Sequence, residues 1–278
     1  MAEDKKVDMS LMDHLMELLN RSRKIIISII IFTVVAMVMP ISIDFSSFST
    51  DNPFYPTITS FVIRNLQDKF LPAEAELLPL SFLAPLEVYV FMSLILGALI
   101  SLPVIFYELF KFVSPALHVH ERKVAFQFVG AFVGLFVFGF IMGYLFILPM
   151  TMRVLFMFSK LLNLPPKYDF TVFFSTVGFS LLLCGLIFTF PMYVILLVKA
   201  GILKITTVTK NRKYLYGGLI IIIAILDPEP GLITEGIVFI PLMILIEISI
   251  LVAKRIERNR EVSDGINSLS AKSLERHS

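Results

Sequence analysis

Apolar residues in this chain come in long blocks, at about 25–43, 85–112, 123–149, 171–199, 214–226 and 234–253, and charge falls mostly between them. A helix crossing roughly 30 Å of hydrocarbon needs about 20 mostly apolar residues, and it satisfies its own backbone groups where no water can. The blocks therefore predict an all-α polytopic membrane protein with six transmembrane helices. Composition agrees. With 57% hydrophobic and 17% charged residues and a mean hydropathy of +0.85, the chain lacks the polar surface of a water-soluble enzyme.

Proline shapes these helices. Pro40 stops the first block, while Pro103 and Pro191 fall inside the second and fourth, where each removes a backbone donor and predicts a kink. The last two blocks are short. The run 214–226 cannot cross a normal bilayer, so either the membrane thins there or the pair around Asp227–Gly231 forms a re-entrant hairpin. Between blocks one and two, Ile58, Phe61, Val62, Leu66 and Phe70 recur at helical spacing, predicting an amphipathic helix on the outer face. Before block one, Leu11, Leu15 and Leu18, with Met12, Met16 and Leu19, share one helical face; Asp13, Glu17 and Arg21 share the other.

Nineteen of the 24 Lys and Arg residues lie in segments 1–24, 111–123, 199–213 and 254–278. That asymmetry predicts both termini on the cytoplasmic side of the cell membrane. A cleavable signal peptide is not expected, because the segment before the first block is long and polar. Residues 1–257 read as one six-helix membrane domain, and 258–278 as a flexible polar cytoplasmic tail.

The chemistry points away from an enzyme. There is no G-x-x-x-x-G-K-[ST] loop and no H-E-x-x-H helix. An intramembrane serine protease would need a histidine in the bilayer, yet His14, His118, His120 and His277 all fall in loops or tails. The lone Cys184 excludes an intramolecular disulfide. No cofactor, metal or nucleic-acid partner is expected.

Carboxylates in apolar blocks are costly and tend to be functional. Glu87 and Glu235 sit in first helical turns, where the helix dipole explains them, and Glu108 stands three residues before Lys111, which permits a local pair. Glu247, inside ILIEISIL, has no obvious partner. Among acids outside the blocks, Glu17 can pair with Arg21 at i, i+4, and Glu121 can cap the third helix or balance Arg122.

The string HLMELLNR (His14–Arg21) and the stretch SLILGALISLPVIFYELFKFVSPALHVHERK (Ser93–Lys123) resemble TatC, the multi-span core of the twin-arginine protein translocase. The second match includes a proline-centred helix, the pattern Phe112, Pro115, Leu117, and the pair Glu121–Arg122; Pro241 and the IEIS around Glu247 fit the family's last helix. The resemblance runs from about residue 9 to 257. It implies a cup-shaped scaffold and a receptor for signal peptides carrying two adjacent arginines. Such a receptor works with single-span TatA/TatB-type partners, as a homo-oligomer, to export folded proteins on the proton gradient. It further implies that Glu17 and Glu121 receive the guanidinium pair, with Leu18, Arg21, Phe112, Pro115, Leu117 and Arg122 around them. Arginine's planar fork suits carboxylates better than lysine's point charge does. The flexible Met- and Phe-rich faces of spans two and three would accept varied signal sequences. Two departures stand out: Leu19 occupies a position where many relatives carry arginine, and Thr189 one where they carry an acid, which makes Glu247 the better intramembrane candidate. The competing reading is a proton-coupled small-solute transporter using Glu108 and Glu247, although the chain shows no internal repeat of the kind such transporters carry.

Overall fold

The computed structural model describes residues 11–41, 56–113, 122–199, 203–226 and 232–275. It is almost entirely helical, and its contacts group into two compact units: 1–133 with 155–179, and 134–154 with 180–278.

In the first unit, α1 (Leu11–Val38) packs along α3 (Ala84–Ile100) and touches α2 (Ile58–Phe70) and α4 (Leu102–Val113). The approach of α1 to α3 depends on Gly97. A Cβ there would overlap Thr33 Oγ1 and lie 2.6 Å from the Thr33 backbone nitrogen. Away from this seam, Ile26, Ile27, Ile30, Ile31, Val34 and Val38 of α1 stay exposed, as a lipid-facing surface requires.

Pro40 ends α1 and leaves two carbonyls without helical donors. It has no N–H for Ala36 O, and Ile41 N donates to Pro56 O instead of to Met37. Side chains take their place: Thr59 Oγ1 donates to Ala36 O at 2.9 Å, and Tyr89 OH donates to Met37 O at 2.6 Å. Thr57 N-caps α2 by accepting from Ser60 N at 3.2 Å.

Pro103 bends the second block as expected: α3 and α4 meet at Ser101 with a 54° angle. Two three-residue strands, β1 (Glu76–Leu78) and β2 (Lys167–Asp169), pair in parallel with Leu77 opposite Tyr168. Asp169 Oδ1 then caps α7 (Phe170–Phe188) by accepting from Val172 N at 2.8 Å.

The third block runs longer than predicted. The helix α5 (Arg122–Met142) passes through a π-turn, Gly143–Ile147, into α6 (Leu148–Leu161), so Pro149 does not stop it. In the widened turn Leu148 N donates to Gly143 O, which resets the register just before the proline. In the second unit, Gly139 brings this helix against α7, where a Cβ would overlap Phe188 Cβ. The fourth block breaks at Thr189 before Pro191, giving α7 and α8 (Phe190–Lys199); Thr189 is fully buried and its hydroxyl donates to Leu186 O at 2.6 Å.

The second unit's core is built where α8, α9 (Ile205–Lys210) and α10 (Arg212–Leu226) pack on α11 (Leu232–Glu275). Leu219, Ile223, Leu242, Ile246 and Ile250 are buried there. The helix α11 does not end at Ala253. It continues to Glu275, so most of the segment 258–278, expected as a flexible tail, is helical. In the sequence Lys254, Arg255, Glu257, Arg258, Arg260 and Glu261 interleave opposite charges at helical spacing, which favours continuation of the helix beyond the apolar block.

Among the described residues, Gln127–Leu161, Phe170–Val198 and Glu235–Arg258 are each long and apolar enough to cross a bilayer, and the bent pair α3–α4 makes a fourth. The apolar end of α1 from Ile25 and the 15-residue α10 each span only about 21–23 Å at 1.5 Å per residue.

Candidate functional site

Helical spacing puts Glu17, Arg21 and Lys24 on neighbouring turns of α1, and packing of α1 on α4 brings Glu108 to them. Arg21 is the hub. Its Nη2 and Nε both donate to Glu17 Oε1, the latter at 3.2 Å. Its Nη1 lies 3.5 Å from Glu108 Oε2, and Lys24 Nζ lies 3.7 Å from Glu108 Oε1. Two carboxylates therefore face two cations in a charge-balanced cluster.

Burial makes the cluster matter. The side chains of Arg21 and Glu108 are 12% and 9% exposed, and that of Glu17 25%. Ions withdrawn from water this far lose hydration that only a partner can replace, so removing one member leaves an uncompensated charge. Among the described residues neither Arg21 Nη1 nor Glu108 Oε2 has a hydrogen-bond partner, and the two atoms face each other at 3.5 Å. The sequence anticipated the Glu17–Arg21 pair, whereas it offered Lys111 as the partner of Glu108. That pairing is not the one formed: Glu108 turns across the helix interface to Arg21 and Lys24. Leu18 stands beside Glu17 with 40% of its surface exposed.

The aromatic faces expected to offer a groove are in part filled. Phe106 stacks on Phe132 at 5.1 Å and Phe110 on Phe128 at 5.5 Å, and all four are buried. These four serve as core.

Glu121, Pro115 and Leu117 lie outside the described residues, as do the side chains of Phe112 on α4 and Arg122 at the start of α5. Glu247 is held within the second unit. Arg212 Nη1 donates to both its oxygens, at 2.9 and 3.1 Å, and Tyr216 OH donates to Oε1. Arg212 and Tyr216 stand four residues apart at the start of α10 and so share a face. That spacing was the available signal for them. Among the described residues, no group of three or more His, Cys, Asp or Glu side chains is placed to hold a metal ion.

A family model described as Sec-independent protein translocase protein (TatC) matches residues 13–241, most of the chain and both halves of the resemblance. The chain belongs to the TatC family. It is 29% identical over 255 residues to the TatCy protein of Bacillus subtilis, covering 92% of each chain. It is 30% identical over 257 residues to TatC of Aquifex aeolicus, covering 91% of this chain and 98% of that one. A crystal structure of the twin-arginine translocase receptor TatC superposes with a TM-score of 0.69 at 28% identity, over 88% of this chain and 99% of the other. The protein is thus a multi-pass membrane component of a Sec-independent protein translocase, and the helical architecture described above is that of TatC.

Proposed function

We propose that this TatC protein is the receptor subunit that binds twin-arginine signal peptides at its cytoplasmic face and recruits single-span TatA/TatB-type partners. In this reading both termini are cytoplasmic, the receptor assembles as a homo-oligomer, and the proton gradient drives export of folded cargo. Glu17 and Glu121 accept the two guanidinium groups; Leu18, Phe112, Pro115, Leu117 and Arg122 border them.

The observation that carries the reading is the state of Glu17. Its carboxylate, three-quarters buried near the start of α1, already engages an arginine fork from Arg21 through two donors. The position therefore has the geometry and the lowered solvation that guanidinium recognition needs. No comparable observation favours the transporter, whose two acids are both engaged by arginines: Glu108 by Arg21 and Glu247 by Arg212.

Photocrosslinking to a twin-arginine peptide tests this. Glu17→Ala and Glu121→Ala are each expected to weaken capture roughly tenfold or more, the scale of one charge-assisted hydrogen bond. A twin-lysine peptide is expected to bind weakly to the unaltered protein. Capture that stays unchanged in both variants would sink the assignment.

A further inference from the structure

Glu17, the acid assigned to the incoming signal, already holds a guanidinium in the free protein. An arriving arginine that takes both oxygens of Glu17 in a bidentate fork must displace Arg21, whose two donors hold Oε1 and whose side chain is only 12% exposed, and a buried guanidinium stripped of its carboxylate is strongly unfavourable. Receptor function at Glu17 therefore requires somewhere for Arg21 to go.

We infer that Glu108 is that destination: a positioning residue that takes Arg21 over when a signal arginine occupies Glu17. Three observations meet here. Arg21 already divides its donors between the two acids, with Nη2 and Nε on Glu17 and Nη1 directed at Glu108. Glu108 Oε2 is buried, has no hydrogen-bond partner among the described residues and lies 3.5 Å from Nη1, so a small shift of the guanidinium closes that gap into a charge-assisted bond. The other oxygen of Glu108 faces Lys24 Nζ at 3.7 Å, and Lys24 is 62% exposed, free to retreat into solvent as Arg21 moves across. The exchange conserves charge. One arginine enters, one arginine changes partner, and the lysine released is the member of the cluster that water already solvates.

Arg21 thereby acts as a built-in competitor. It occupies Glu17 until a better-placed fork arrives, and Glu108 sets how cheaply it yields. A lysine in the signal, with one compact charge and no planar fork, has less to offer in that competition, so the exchange also sharpens discrimination between arginine and lysine.

The inference rests on the receptor reading, and the test separates the two. Binding of a fluorescent twin-arginine peptide is measured on the detergent-purified full chain and its variants, each first checked for a cooperative melting transition above the assay temperature and a monodisperse elution profile. Glu108→Gln keeps the shape and removes the destination; binding should weaken roughly tenfold, the scale of one charge-assisted hydrogen bond. Adding Arg21→Gln removes the competitor, so the double variant should recover binding to at least the unaltered level. Arg21→Gln alone should bind twin-lysine peptide more tightly than the parent does. If Glu108→Gln leaves binding unchanged, or if the double variant stays as weak as Glu108→Gln, the exchange is overturned. If Glu17→Gln also leaves binding unchanged, the receptor site itself is wrong, a different failure from the one above.

Discussion

Arg212 Nη1 bridges both carboxylate oxygens of Glu247, at 2.9 and 3.1 Å, and so ties the first turn of α10 to α11. Tyr216, one turn further along α10, donates to the same carboxylate. With both charged side chains more than a third exposed, solvent screening lowers the strength of the pair below that of a buried one. A double-mutant cycle of Arg212→Gln and Glu247→Gln is expected to give a coupling of about 1 kcal/mol in thermal or urea unfolding. The contrast is Lys160 with Glu74, 3.0 Å apart but with both side chains above 70% exposed. There the cycle should give less than about 0.5 kcal/mol. Equal couplings at the two sites would mean that the α10–α11 clamp adds nothing beyond an ordinary surface pair.

Gly97 offers a sharper packing test. The alanine methyl would press on the backbone of Thr33 as well as on its hydroxyl, so a rotamer change cannot clear the space. Gly97→Ala is expected to destabilise the first unit by roughly 1–3 kcal/mol, the range for overpacking a filled contact. Thr33→Ala in the same chain should recover only part of the loss, since the 2.6 Å contact with the backbone nitrogen remains. Gly134→Ala, where a Cβ meets nothing within 4 Å, serves as the control and should leave the melting temperature unchanged or slightly raised. A Gly97→Ala protein as stable as its parent would rule out the close α1–α3 seam.

Much of this architecture is legible in the sequence for a simple reason: hydrocarbon imposes long apolar blocks, and proline marks where they bend. The breaks at Ser101 and Thr189 follow directly from Pro103 and Pro191. Pro149 misleads because a π-turn can absorb a proline, and nothing local announces one. The extension of α11 is missed for another reason. Hydropathy ends at Ala253, but alternating charge sustains a helix in water equally well. At the candidate site, Glu17 and Arg21 are legible because i, i+4 spacing is local. The partners of Glu108 and Glu247 are not, because they arrive from other helices and no periodicity within α4 or α11 encodes a neighbour's register.

The polar lock below Pro40 carries the last prediction. Thr59 is fully buried, and its hydroxyl serves Ala36 O while sharing a 2.9 Å contact with Ser93 Oγ. Thr59→Val keeps the volume and removes both bonds, stranding a buried carbonyl, so it should cost about 1–3 kcal/mol. The cause proposed is the missing N–H of Pro40, and that can be isolated. Pro40→Ala restores a donor that can continue the helical ladder to Ala36 O, so Thr59→Val should cost measurably less in that background than in the parent. Tyr89→Phe provides the parallel case at Met37 O, which the restored residue-40 donor does not serve; its cost should be the same in both backgrounds. If Pro40→Ala leaves the Thr59→Val penalty undiminished, the hydroxyl is stabilising Ser93 or the packing of α2 rather than replacing the donor that proline lacks.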